Sequence, residues 1–217
     1  MKAYKTQFLD LALELDVLQF GRFELKSGRV SPYFFNAGLF NTGYAAAKLG
    51  RCYASAVADL DIEFDMLFGP SYKGIPLVVL AAGALAEHYD VDYPFAYNRK
   101  EAKSHGEGGR TIGAPVTGRV LILDDVITAG TAIREVIEII REAGGTPAGV
   151  LVALDREEVG TESRMPAVEQ IQAEIGIPIR SIVTLGDLIE HMEEDSQYQQ
   201  HLPAVRAYRN RYGVAFD

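Results

Sequence analysis

The sequence has little of what marks secreted, membrane-spanning or nucleic-acid-binding proteins. It has one cysteine, Cys52, which excludes an internal disulfide framework and a metal site built from several cysteines. Its longest apolar stretch, residues 75–86, is too short to span a bilayer. Acidic residues (30) outnumber basic ones (21), and the net charge of −9 argues against general nucleic-acid binding, which needs a basic surface.

What is present favours a globular domain in the cytoplasm. The first residues form an amphipathic segment that carries acidic side chains, which is not the pattern of a secretory signal. Hydrophobic residues make up 48% of the chain and charged residues 24%, so it can build a core and is not disordered. We expect a single domain over residues 1–217, with neither a membrane nor a nucleic acid as its partner.

The hydrophobic pattern alternates between strands and helices. It predicts a helix over 3–17, a hairpin that turns at Ser27-Gly28, and a helix from Asn41 or Thr42 to about Asp59. Strands are then expected at 66–69, 95–98, 120–123, 148–154 and 179–185, helices at 75–88, 131–143, 163–176 and 187–194, a long exposed loop at 99–115, and a helical or irregular tail at 198–212. This order predicts an α/β fold with a mainly parallel central sheet flanked by helices.

Ligands of such sheets bind at the carboxyl ends of the strands, so the chemistry should lie in the loops after 68, 98, 123 and 154. The loop after residue 123 begins with Asp124 and Asp125 and runs through Gly130 into a predicted helix. This loop offers backbone N–H groups, the hydroxyls of Thr128 and Thr131 and the N-terminus of a helix, which together can bind a phosphate monoester. The two carboxylates can accept hydrogen bonds from sugar hydroxyls. The segment therefore predicts a sugar-phosphate site.

Each of these features also has an ordinary structural interpretation. Two acids after a strand can simply cap a turn, Lys73 can be a solvated loop lysine, and adjacent phenylalanines are usually core. Residues 99–110 are locally basic and rich in glycine, which fits either a solvated loop or a lid that closes over a site.

Residues 121–131 resemble the signature that binds 5-phosphoribosyl 1-diphosphate (PRPP) in the type I phosphoribosyltransferases. Residues 20–36, 69–76, 98–109 and 154–156 are similar to the hairpin, the diphosphate loop, the mobile catalytic loop and the orotate-side arginine of that family's bacterial orotate-using branch. The resemblance implies the type I phosphoribosyltransferase fold. A small N-terminal hood, about 1–40 with C-terminal elements, would cover the orotate side of a PRPP-binding core at about 60–185.

The resemblance also implies a set of site residues, none of which forms a metal site of the protein's own. Catalytic roles are implied for Arg99, Lys103, His105, Asp124 and Asp125. The residues implied to bind PRPP are Lys26, Tyr72, Lys73, Arg99, Lys100, Lys103, His105, Asp124, Asp125, Val126, Ile127, Thr128, Ala129, Gly130, Thr131 and Ala132. Those implied to bind orotate are Lys26, Phe34, Phe35, Thr128 and Arg156, with the two phenylalanines as an aromatic wall beside backbone polar groups.

The implied activity is the Mg²⁺-dependent transfer of the 5-phosphoribosyl group from PRPP to N1 of orotate, in pyrimidine biosynthesis. The products would be orotidine 5′-monophosphate and diphosphate, and a homodimer would insert each 99–110 segment into the neighbouring active site. Two alternatives stay open: a type I phosphoribosyltransferase for uracil, hypoxanthine or adenine, and a PRPP-sensing regulator without catalysis. Such regulators usually add a DNA-binding module, for which the sequence offers no spare region.

Overall fold

Two sheets and seven α-helices organise the parts of the chain that the computed structural model describes, namely residues 1–103, 109–127, 130–160 and 165–214. The helices are α1 (Ala3–Glu14), α2 (Gly43–Ala58), α3 (Gly74–Tyr89), α4 (Thr131–Glu142), α5 (Ala167–Ile175), α6 (Leu185–Glu194) and α7 (Leu202–Tyr212), and a 3-10 turn covers Ala37–Leu39. The strands are β1 (Leu18–Glu24), β2 (Val30–Phe35), β3 (Met66–Gly69), β4 (Phe95–Lys103), β5 (Gly109–Gly113), β6 (Arg119–Asp124), β7 (Thr146–Asp155) and β8 (Ile179–Thr184). None of the described helices has the length and apolarity needed to cross a membrane.

The larger sheet has the order β5-β4-β3-β6-β7-β8, and all its pairings are parallel except that of β5 with β4. Leu67 of β3 is in register with Leu121 of β6, and Asp124 at the end of β6 is in register with Val152 of β7. The predicted mainly parallel sheet, with the 120–123 strand at its centre, is confirmed.

Both faces of this sheet are buried, which explains the uninterrupted apolar runs of its strands. Successive side chains of a strand point to opposite faces. Leu121 and Leu123 therefore join the core cluster that contains α1, α2, α3, α6 and α7. Val120 and Ile122 join the cluster that contains α4 and α5. The result is a three-layer arrangement in which the strand ends are left free to carry loops.

Helix boundaries follow the capping residues in the sequence. The Thr42 hydroxyl accepts a hydrogen bond from the Ala45 N–H at the start of α2, as the pattern predicts. Thr184 and Asp187 form a reciprocal capping box at the start of α6. Helix α4 ends before Gly144, which has a φ of +99° and so adopts a conformation that other residues rarely do.

The predicted loop over 99–115 is wrong for most of its length. Strand β4 continues to Lys103, and β5 returns antiparallel beside it, with Asn98 opposite Thr111 and Lys103 opposite Gly109. Residues 104–108 lie outside the described residues. The 99–103 segment has no apolar alternation, but backbone pairing at a sheet edge does not require it. Helix α5 likewise begins at Ala167, later than the predicted 163.

The smaller sheet is the predicted hairpin of β1 and β2, which pairs Leu18 with Phe35 and turns through Gly28 at a φ of +77°. Arg29, just after the turn, donates hydrogen bonds to the Glu158 carboxylate and to the Val159 and Gly160 carbonyls. The hairpin is thereby fastened to the segment that follows β7.

Two glycines make possible the tight turn from β3 into α3. A Cβ added at Gly69 would lie 2.2 Å from the Gly74 carbonyl oxygen. One added at Gly74 would lie 2.4 Å from Pro70 Cδ and 2.8 Å from the Leu123 carbonyl oxygen. Because two of these three neighbours are backbone atoms, a side chain at either position would displace the loop over 70–73.

Gly74→Ala is therefore expected to lower the free energy of unfolding by roughly 1–3 kcal/mol, the usual cost of overpacking. Gly83→Ala, in the same helix, is the matched control because a Cβ there meets nothing within 4 Å. It should raise the free energy of unfolding by about 0.5–1 kcal/mol, since alanine favours helix. Urea denaturation of both variants measures the difference. A Gly74→Ala protein as stable as the wild type would contradict this account.

Candidate active site

The described loops that carry predicted site residues meet at one edge of the larger sheet. Gly69 at the end of β3 pairs with Tyr97 of β4, and Phe68 pairs with Ile122 of β6. Strand β7 lies on the other side of β6 and ends at Asp155. The carboxyl ends of these parallel strands therefore share an edge, as the strand order predicts.

Asp124 and Asp125 are held firmly at the end of β6. The Asp125 N–H donates to Asp124 Oδ1 (2.9 Å), and the Val126 N–H donates to Asp125 Oδ1 (2.8 Å). The Asp125 carbonyl accepts from the Ala153 N–H (2.9 Å), and the Tyr53 hydroxyl of α2 donates to the Asp124 carbonyl (2.7 Å). Tyr53 is not among the predicted site residues, because an aromatic residue in an amphipathic helix is typical of the core.

Burial and the adjacent charge of Asp125 raise the pKa of Asp124 to about 7. The Asp125 N–H and the Lys73 ammonium act in the opposite direction but are outweighed. The Asp124 carboxyl thus exchanges its proton near neutral pH. A hydroxyl or a cation brought by a ligand would favour its ionised form.

The Lys73 ammonium lies 2.5 Å from Asp125 Oδ2 and joins the β3–α3 loop to the β6–α4 loop. The lysine side chain is 56% exposed, whereas the aspartate side chain is 7% exposed. A buried carboxylate needs such a partner. The exposed ammonium can also meet an anion that arrives from solvent, so the pair brings both signs of charge to one place.

The β3–α3 loop is positioned by Asn98, a buried residue that the sequence analysis did not include in the site. Asn98 Oδ1 accepts a hydrogen bond from the Ser71 N–H (2.8 Å), and Asn98 Nδ2 donates to Ser71 Oγ (3.1 Å). The peptide bond between Ser71 and Tyr72 is cis. The Tyr72 ring is exposed, with Lys100 Nζ 4.8 Å from its centroid. An asparagine inside a polar run offers no periodic signal that would have revealed this role.

Arg99 is the neighbour of Asn98 on β4. Its Nη1 atom is buried and has no hydrogen-bond partner among the described residues. Buried guanidinium donors are normally satisfied by hydrogen bonds, so this nitrogen is an exception among the described residues.

The β6–α4 loop ends at Gly130, which caps α4 with a φ of +70°. A Cβ there would also lie 3.0 Å from Ile171 Cγ1. Glycine is therefore needed both for the backbone conformation and because a side chain would crowd Ile171. Thr131 and Ala132 are exposed at the N-terminus of α4, where unpaired N–H groups and the helix dipole favour an anion. The other described residues of this loop, Val126 and Ile127, are partly buried and pack against the two opposite core clusters.

Arg156 stands just after β7 and is largely buried. Its Nε donates to Glu158 Oε1 (2.7 Å), and its Nη2 donates to Ser31 Oγ of β2 (2.9 Å). The guanidinium carbon lies 4.2 Å from the centroid of the Tyr33 ring. Lys26 is exposed beside the turn of the hairpin. The structure thus places Arg156 against the hairpin. The residues predicted to bind orotate therefore come from two neighbouring segments, the hairpin and the segment after β7.

The prediction that Phe34 and Phe35 form one aromatic wall is wrong. Neighbouring residues of a strand face opposite sides of the sheet. Phe35 is buried and packs against Phe8 with ring centroids 6.2 Å apart, whereas Phe34 is exposed and stacks on Phe23 at 5.5 Å. A contact of orotate with the Phe34 ring or with the strand backbone stays a prediction.

Several predicted residues fall outside what the structure describes: His105, Thr128, Ala129 and the side chain of Lys103. Among the described residues, no cluster of three or more histidine, cysteine, aspartate or glutamate side chains could hold a metal ion.

Residues 39–186 match the family described as the phosphoribosyl transferase domain. The orotate phosphoribosyltransferase of Pseudomonas syringae pathovar tomato is 58% identical over 214 residues, which cover 99% of this chain and 100% of that protein. The chain belongs to the orotate phosphoribosyltransferase family.

Solved structures agree with this membership. The crystal structure of the orotate phosphoribosyltransferase of Francisella tularensis is 40% identical, with a TM-score of 0.85 over 95% of this chain and 99% of that one. The Mycobacterium tuberculosis enzyme, solved in complex with PRPP, is 25% identical, with a TM-score of 0.63 over 85% of this chain and 98% of that one. The implied type I phosphoribosyltransferase fold and the family are confirmed, and the family consists of phosphoribosyl-transferring enzymes.

Asp124→Asn is expected to stabilise the protein at pH 8 and to change its stability little near pH 4. With its pKa raised to about 7, Asp124 holds its proton more tightly in the folded state, so the wild type loses stability as the pH rises from about 4 to 7. The asparagine does not titrate. At pH 8 the gain should be about 1–3 kcal/mol, or roughly 2–4 °C in Tm for each kcal/mol.

Thermal unfolding at pH 4.5, 6 and 8 measures this difference. Asp92→Asn is the control for the loss of one carboxylate, because Asp92 is exposed and has no hydrogen bond or ion pair with the described residues. A gain for Asp124→Asn that is equal at all three pH values would refute the role given to its proton.

Proposed function

We propose that this protein transfers the 5-phosphoribosyl group of PRPP to N1 of orotate, giving orotidine 5′-monophosphate and diphosphate in pyrimidine biosynthesis. The observation that carries the proposal is the Lys73–Asp125 pair beside Asp124, at the head of the loop that leads into α4. This pair brings a cation and two carboxylates close to the N-terminus of α4, which supports binding of a charged sugar phosphate. The Mycobacterium tuberculosis relative has been solved in complex with PRPP, which supports PRPP as the sugar phosphate that binds here.

The proposed binding mode divides PRPP between the loops. The 5-phosphate lies at the N-terminus of α4, where Gly130, Thr131 and Ala132 offer backbone N–H groups. The ribose hydroxyls donate to the Asp124 and Asp125 carboxylates. The diphosphate lies over the 70–73 loop, where it accepts hydrogen bonds from the Lys73 ammonium and weakens its pairing with Asp125.

In the proposed reaction the bond between C1 of the ribose and the diphosphate oxygen breaks ahead of bond formation, and its electron pair leaves with the diphosphate. C1 then has oxocarbenium character, as in glycoside hydrolysis. The two carboxylates place negative charge near this cation, and cations of the 99–110 segment stabilise the leaving group. N1 of orotate, which can arrive already deprotonated, forms the new bond to C1 from the opposite face, so little help from a general base is needed.

Mg²⁺ is the proposed cofactor, carried by the substrate rather than by a site of the protein alone. The donor set fits this assignment, because two adjacent carboxylates are present and the described residues hold no larger cluster of ligands. Magnesium in such sites is bound by one or two carboxylates together with substrate phosphates and water. When bound, it neutralises part of the diphosphate charge.

A homodimer is proposed in which the 99–110 segment acts on the neighbouring active site. The support is the position of β5 at the edge of the larger sheet, with β4 beside it. In the same proposal Arg156 and Lys26 bind orotate on the hood side.

A panel of bases tests the proposed substrate. With PRPP and Mg²⁺, diphosphate should be released with orotate but not with uracil, hypoxanthine or adenine. Asp125→Ala should lower kcat roughly 100-fold or more, because a buried charge at the reacting centre is lost. Asp92→Ala is the control and should keep normal turnover, because this exposed carboxylate precedes the amino end of β4 whereas the site loops follow the carboxyl ends of the strands. Activity with another base and not with orotate would overturn the proposal.

Subunit complementation tests the action in trans. Lys103→Ala and Arg156→Ala homodimers should each be nearly inactive, because each lacks one residue in both sites. Each mixed dimer should have one site in which both contributions are intact, so a fully exchanged equimolar mixture should regain up to roughly a quarter of the wild-type turnover. Subunit exchange is followed with differently tagged chains. Proven exchange without any recovery of turnover would exclude the shared site.

A further inference from the structure

The Glu158 carboxylate is the centre of a buried network behind Arg156. Its Oε1 accepts hydrogen bonds from Arg156 Nε (2.7 Å) and from the Tyr208 hydroxyl (2.8 Å), and its Oε2 accepts from Arg29 Nη1 (2.9 Å). The glutamate side chain is only 13% exposed. Its two oxygens thus link the segment after β7, the hairpin and helix α7 through side chains alone.

The Arg156 guanidinium is constrained on its other sides too. Nη2 donates to Ser31 Oγ (2.9 Å) and more weakly to the Tyr208 hydroxyl (3.4 Å). The group lies over the Tyr33 ring at 4.2 Å. Its hydrogen bonds with the described residues use Nε and Nη2 and leave Nη1 unused. The guanidinium is therefore fixed in direction, with one nitrogen left for a ligand.

The charges of this network leave a net attraction for an anion. Arg29 and Arg156 each contribute a positive charge, and Glu158 contributes a negative one, so the three contacting groups sum to +1. Without Arg29, the Glu158 charge would cancel that of Arg156. With it, Glu158 can orient the guanidinium and still leave a cationic site for a carboxylate.

We propose that Glu158 and Tyr208 are positioning residues that hold Arg156 so that its Nη1 binds the carboxylate of the base, which makes them determinants of specificity for a carboxylated pyrimidine. The inference rests on the proposed function, because it takes orotate as the base. Tyr208 comes from α7, so the C-terminal helix belongs to the recognition of the base.

The test is steady-state kinetics on Tyr208→Phe and Glu158→Gln, with orotate varied at saturating PRPP and PRPP varied at saturating orotate. Tyr208→Phe should raise the KM for orotate about 2- to 10-fold, the range of one neutral hydrogen bond. Glu158→Gln should raise it about 10-fold or more, since the acceptor loses its charge and one of its two oxygens is replaced by a donor. In both variants kcat and the KM for PRPP should stay within about twofold of the wild type, as expected when only binding of one substrate is lost.

Two matched controls separate this role from general damage to α7. Tyr212→Phe makes the same change on the same helix, at a hydroxyl without a hydrogen bond to the described residues. Glu193→Gln removes a carboxylate paired with Arg206 on the surface. Both should leave the kinetics unchanged, and thermal unfolding checks that all four variants are folded.

A double-mutant cycle shows whether the effect passes through Arg156. The quantity compared is kcat/KM for orotate, taken from the slope of rate against orotate concentration at low orotate concentrations. In an Arg156→Ala background, Tyr208→Phe and Glu158→Gln should have almost no further effect, because there is no guanidinium left to position. Undiminished effects in that background, or an unchanged KM for orotate in the single variants, would overturn the inference. A wild type inactive with orotate would instead refute the proposed function itself.

Discussion

The structure of the site depends on one electrostatic contact, that of the Lys73 ammonium with the buried Asp125 carboxylate. A carboxylate at this depth would be costly without a partner, and the partner comes from the loop of a neighbouring strand. The contact therefore holds together two loops that are far apart in sequence. It also keeps a positive and a negative group at the place where PRPP is proposed to bind.

The rest of the fold keeps these two loops from moving apart. Gly69 and Gly74 let the chain turn sharply from β3 into α3, while Asn98 ties the same loop to β4. On the other loop, Tyr53 and the N–H of Ala153 hold the backbone of the aspartate pair. Burial in this setting raises the pKa of Asp124, so the site is built at some expense of stability near neutral pH.

Around Arg156, most of the polar groups are joined by hydrogen bonds to one another. Glu158, Ser31 and Tyr208 accept hydrogen bonds from Arg156, Arg29 donates to Glu158, and the Tyr33 ring lies beside the Arg156 guanidinium. Such a network orients a long side chain whose rotamer freedom would otherwise oppose binding. The hairpin, the segment after β7 and the C-terminal helix are thereby joined around one cation.

The sequence by itself determined the layered α/β fold, the central 120–123 strand, the hairpin and the aspartate pair with its helix, because periodicity, capping and turn residues are local signals. Only the tertiary structure decided that 99–103 and 109–113 pair as strands and that Phe34 and Phe35 face apart. It also decided that Tyr53, Asn98, Glu158 and Tyr208 form hydrogen bonds with or beside the predicted site residues. Strand pairing at a sheet edge and hydrogen bonds between side chains distant in sequence produce no periodic pattern in the amino-acid sequence. They exist only once the chain has brought those residues together.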